Sequence, residues 1–129
     1  MTIDEAFFSL LSNDADVVAK VSNRIYPDKL PQNVEYPAIR IVLTSETHNP
    51  IAGGVDDLPK AGIDVDVFAA SRESANVVSE LVRISLDGYN GTIDGLIIQA
   101  IMMNNRQHFY DDDEDAYQTS NDFLAFFEQ

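Results

Sequence analysis

At 129 residues, 45% of them hydrophobic and 23% charged, the chain is long enough for one core, too short for two, and composed like a domain that folds. Having no cysteine, it has no disulfide, thiolate zinc centre or cysteine nucleophile; no apolar run approaches the roughly 18 residues of a membrane span, and the first residues, MTIDEAFFSLLSN, carry acids where a signal peptide carries bases. With 22 acidic against 8 basic residues, a formal charge of -14, the surface is unsuited to gripping nucleic-acid backbones, although a channel past which DNA slides without sticking tolerates the same excess.

Thr2 followed by Glu5 is a capping box, and Ile3, Ala6, Phe7, Leu10 and Leu11 follow helical spacing, so a helix is expected at the N-terminus. Asn13 or Asp14 can cap a second short helix carrying Val17, Val18 and Val21. Pro27, Pro31 and Pro37 then remove backbone donors from RIYPDKLPQNVEYPAI and make it an extended arm, in which Tyr26 and Pro27 either pack on the chain's own core or clasp a neighbour. AIRIVLTS alternates Ile39, Ile41 and Leu43 against Arg40, Val42 and Thr44. GIDVDVFAA alternates Ile63, Val65, Val67 and Ala69 against Asp64, Asp66 and Phe68. Both are expected strands, joined by the long loop ETHNPIAGGVDDLPK.

Ser71 caps a third helix with an apolar stripe of Ala75, Val78, Val82 and Leu86, and the glycines Gly88, Gly91 and Gly95 end it. LIIQAIMMNN, apolar on both sides at its start, and YQTSNDFLAFFEQ are the last two expected strands. The expected fold is α+β in the order α-α-β-β-α-β-β: an antiparallel sheet of four strands, or slightly more, with helices on one face. Apolar residues on both sides of the last two strands leave surface for another chain to cover.

The string DDDEDAYQTSND, residues 111 to 122, has the acidic spacing of a calcium loop of the helix-loop-helix type. Its sixth position is Ala116 instead of glycine, its twelfth is Asp122 instead of glutamate, and both flanks read as strands, so the acids Asp111, Asp112, Asp113, Glu114 and Asp115 are expected at a solvated hairpin tip. Asp64 and Asp66 share a strand face, as paired nuclease carboxylates do, but Phe68 stands where such a site wants lysine. His48 and His108 have no zinc-ligand spacing around them and are read as exposed loop residues. No nucleophile elbow, phosphate loop or zinc-peptidase motif is present, and no catalytic residue, metal or cofactor is expected.

The linear order of Arg24, Ile25, Tyr26, Pro27, Leu30, Pro31, Gln32, Pro37 and Ala38 in the arm, of Val65, Val67, Phe68 and Ala69 leading to the Ser71 helix, and of Tyr117, Ser120, Asp122 and Phe123 at the end resembles the tail completion, or tail terminator, family of long-tailed bacteriophages and prophages. The resemblance spans nearly the whole chain. It departs at the loop from Ser45 to Pro59 and at the hairpin tip, where relatives often have proline or glycine. It implies a structural assembly protein of the virion tail, formed in the host cytoplasm: a ring, usually of six copies, that ends the tail tube and meets the head connector, with tube protein, connector and its own copies as partners and no membrane role.

On this reading DNA passes through without specific binding, and Asp64 and Asp66 are candidates for the lumen wall. Thr47, His48, Asn49, Asp56, Asp57 and Lys60 in the long loop, with Asp111 to Asp115 at the tip, are candidates for contact with neighbouring proteins, because long loops on a rigid sheet often carry recognition. The competing reading is a small acidic binding module, calcium-dependent or a mimic of DNA; within the phage class, a connector or tube subunit is the alternative.

Overall fold

The computed structural model describes residues 1–48 and 58–128. The elements are α1 (Ile3–Ser12), α2 (Ala15–Val21), β1 (Ile25–Pro27), β2 (Ala38–Thr47), β3 (Lys60–Ala69), α3 (Arg72–Leu86), β4 (Gly91–Ile93), β5 (Leu96–Asp111) and β6 (Ala116–Glu128). The strands form one six-stranded sheet in the order β1-β2-β3-β6-β5-β4. Every neighbouring pair is antiparallel except β1 with β2, which is parallel.

The α+β class holds, but four strands become six and the order gains β1 before β2 and β4 before β5. Both additions are three-residue edge strands, too short to show a period. β1 lies inside the stretch expected to be an extended arm, and its Pro27 is tolerated because an edge strand has one side without ladder partners. β4 is closed onto β5 by Asp94 and Gly95, both left-handed at φ 47° and 84°, the backbone of a two-residue hairpin turn.

Each helix begins as its first residues require. The Glu5 carboxylate accepts hydrogen bonds from the Thr2 amide and hydroxyl at 2.8 Å each. Asp14 accepts from the Asp16 and Val17 amides, and Ser71 from the Ser74 amide. All three helices contribute to one core on one sheet face: Phe7, Leu11, Val17, Val21, Val78, Val82 and Leu86 meet Ile39, Ile41, Ile63, Val65, Val67, Ile101, Phe123, Ala125 and Phe127. Phe7 meets Phe123 edge to face, with ring centroids 6.1 Å apart.

Within this layer a polar network fixes α3 to the sheet. Arg106 Nε donates to Asn121 Oδ1 at 2.6 Å and Arg106 Nη2 to the Ser79 carbonyl, while buried Asn121 donates to the Val65 carbonyl at 3.1 Å and to Ser79 Oγ at 3.3 Å. A buried amide satisfied from three elements resists sliding of the helix, because any shift strands a donor. Truncating the central aromatic, Phe123→Ala, is expected to cost about 3–5 kcal/mol of stability, read as a lower urea midpoint.

Candidate functional site

Among the described residues no helix covers the other face of the sheet, and residues of opposite parity point there: Val42 and Thr44 from β2, Asp64 and Asp66 from β3, Asp122, Leu124 and Phe126 from β6, and Ile97 and Met102 from β5. Met102 is 44% and Ile97 37% exposed, and Val42, Leu124 and Phe126 are half-buried. Gly62 lets β2 and β3 approach within this face, since a Cβ there would meet Ser45 Oγ at 2.8 Å. Among the described residues part of the expected apolar strand surface, at Ile97 and Met102, is open, while Phe68 on the same face is fully buried.

Acids occupy the middle of this face. Asp64 stands directly across from Asp122 in the β3–β6 ladder, and Asp66 lies one row further along, opposite Arg40 on β2. Arg40 donates to one carboxylate oxygen of Asp66 from Nη2 at 2.7 Å and from Nε at 3.0 Å, and its guanidinium lies 5.0 Å from the Phe68 ring centroid. The second oxygen, Asp66 Oδ1, is buried without a donor among the described residues. The structure thus corrects the expectation for Asp66: it is 3% exposed and paired, so its charge is turned away from solvent. Asp64 is half-buried, and Asp122, which Asn104 contacts at 3.0 Å, joins it.

Like charges directly opposite in a ladder are costly. Burial, then the Asp66 and Asp122 carboxylates, push the Asp64 carboxyl up to about 6 against the opposing pull of Arg40. Sequence reading missed Asp122 as a member of this group. The alternation in NDFLAFF places it on the Leu124 face, but only the strand register brings that face against Asp64.

The acidic tip lies at the β5–β6 hairpin, as expected, and among the described residues no group of three or more His, Asp or Glu side chains is placed to hold a metal ion. Asp111 accepts from the Glu114 amide at 3.1 Å and Asp115 from the Tyr110 hydroxyl. The arm reaches the same tip: Tyr36 donates its hydroxyl to the Glu114 carbonyl at 2.7 Å, and burial followed by the Glu114 charge raises the pKa of that phenol. Asp112 and Asp113 are exposed. At the other end of the sheet, Thr47 and Lys60 are paired strand residues, not loop residues, and His48 Nε2 lies 3.4 Å from Glu46. Asn49, Asp56 and Asp57 lie outside the described residues. His108 is corrected from loop to strand, with Nδ1 3.2 Å from Thr119 Oγ1.

Two outcomes follow from the acidic cluster. A carboxyl whose folded value stands near 6, against an ordinary 3.8, destabilises the fold above about pH 6 and ceases to do so below about 4; Asp64→Asn is therefore expected to raise the melting temperature at neutral pH, with the gain shrinking as pH falls through that window. Arg40→Ala leaves the buried Asp66 carboxylate without donors and is expected to cost about 1–3 kcal/mol, part of it recovered when Asp66→Ala is added, as a double-mutant cycle measures.

Among solved structures, a chain in the virion of a native gene transfer agent particle superposes with a TM-score of 0.77 over 98% of this chain and 95% of its own length, at 16% identity, a likeness of fold. No curated protein matches the chain. Residues 5–128, nearly everything described above, match the family model of the tail completion protein gp17. The chain belongs to that family of tail completion proteins, which are structural components of a virion tail and not enzymes.

Proposed function

We propose that this protein closes the head-proximal end of a tail tube as a ring of six copies, stopping tube polymerisation and presenting the surface on which the head connector docks. Family membership over residues 5–128 is the observation that carries this reading. The shape of the chain supports it. With helices on one face only, copies set side by side give a wall with a helical outside and a sheet inside.

In such a ring the inner wall offers Asp64 and Asp122 to the lumen, where negative charge keeps passing DNA from sticking; Asp66 acts there only through its repulsion of Asp64. The β5–β6 tip, Asp111 to Asp115, and the β2–β3 ends at Thr47, His48 and Lys60 lie at opposite ends of the sheet. One end then faces the tube and the other the connector, so each group of residues meets a different partner. The ring forms in the host cytoplasm and stays in the virion.

Deleting the gene in a producing strain is expected to give tails of uncontrolled length that do not join heads, seen by negative-stain electron microscopy. Tails of uniform length joined to heads would end this reading.

A further inference from the structure

The two edges of the sheet are open at different heights. On β5, residues 96–98 pair with β4, the Ile101 carbonyl and amide are taken by Gly88 and Tyr89 at 2.7 and 3.1 Å, and the Met103 amide donates to Asp87 at 3.0 Å. From residue 104 to 110 no outer backbone group is bonded among the described residues, and Phe109 and Tyr110 on this stretch are 44% and 47% exposed. On β2, residues 39–41 pair with β1, and 42–47 have no outer partner among the described residues. β1 itself cannot extend the sheet: Pro27 has no amide proton, its carbonyl accepts from Lys29, and the Ile25 amide donates to Asn23.

Long bare edges are hazards that proteins blunt or use; the register shifts at 43/45 and 103/105 bend these two, but among the described residues no element covers either. Resting on the ring reading above, we infer that the free edge of β5, residues 104–110, pairs antiparallel with the free edge of β2, residues 42–47, of a second copy, so that one continuous sheet runs around the ring. Direction follows from the topology. β2 runs opposite to β3, β3 to β6 and β6 to β5, so β2 and β5 point in opposite directions, and rotation about an axis close to the strands preserves this.

The stagger is also consistent with a barrel wall. One row of the sheet runs Tyr26, Arg40, Asp66, Ser120, Gln107, so Gln107 is level with Arg40. Bringing Gln107 opposite the middle of 42–47 shifts the neighbour by about five residues, or about 16 Å, at about 3.3 Å per residue. With β5 paired directly to the neighbour's β2, each copy adds four strands, β2, β3, β6 and β5, to the wall, and at about 4.8 Å spacing the shift gives a strand tilt of about 40°, within the range of closed barrels. The sense also agrees. With the right hand that the general rule gives to such crossovers, β3–α3–β5, viewed with helices outside, sets this shift as a rightward tilt, the hand that right-twisted strands adopt.

Because the chain has no cysteine, pairing can be read by cross-linking. Ser45 and Gln107 lie on the same open face. Tails assembled with the Ser45→Cys, Gln107→Cys double variant, and with Asn105→Cys or Phe109→Cys replacing the second site to sample neighbouring registers, are expected after oxidation to give a ladder of covalent multimers on a denaturing gel. The single variants are expected to give no ladder. Uniform tails containing the protein but giving only monomer in all three pairs would overturn the edge pairing and leave the terminator reading standing; loss of length control on gene deletion tests that reading separately. Hydrogen exchange on the unmodified protein gives a second measure: residues 104–110 and 42–47 are expected to gain protection on assembly, and unchanged exchange in both segments would also overturn the pairing.

Discussion

The architecture depends on the β3–β6 ladder at the centre of the sheet. Along both strands the residues alternate so that one side holds Ile63, Val65, Val67, Phe123, Ala125 and Phe127, and the other holds Asp64, Asp66 and Asp122 with Leu124 and Phe126. A slip of one residue would turn carboxylates toward Phe7 and Val82 and aromatics toward water, at a cost no local rearrangement could offset. The register in turn decides where α3 sits. Asn121 can bind the Val65 carbonyl, Ser79 and Arg106 together only when β6 is in this position.

The same register concentrates three carboxylates around one guanidinium on the face without helices. For the isolated chain this is a local cost: Asp64 opposes Asp122, and one oxygen of Asp66 lacks a donor. A protein selected only for stability has little reason to keep such a cluster, whereas the ring proposed above has an electrostatic use for the part that remains exposed. The apolar residues around the cluster, Met102, Ile97 and half-buried Leu124, fit a chain that works as part of a larger wall.

Much of this was legible in the residues. The period of two put Ile39, Ile41 and Leu43 on one face of β2 and Ile63, Val65 and Val67 on one face of β3, and Thr2, Asp14 and Ser71 announced the helix starts, because these signals act through nearest neighbours along the chain. β4 was also signalled, since Asp94-Gly95 between Thr92-Ile93 and Leu96-Ile97 is a hairpin turn, but three glycines nearby made the stretch read as a helix end. β1 had no such mark. Three residues among prolines become a strand only because Ile39, Arg40 and Ile41 lie beside them.

By itself the sequence determined the class of fold, which side chains of β2 and β3 share a face, the failure of the calcium-loop pattern and a resemblance to tail completion proteins. Only the tertiary structure decided that Asp66 is buried against Arg40 while Asp64 faces Asp122, that Tyr36 reaches the acidic tip, and that the two sheet edges are bare at different heights. The division has one physical cause. Alternation and capping depend on residues a few positions apart, whereas the Arg40–Asp66 and Tyr36–Glu114 contacts join residues 26 and 78 positions apart, whose meeting is chosen by the packing of the whole core.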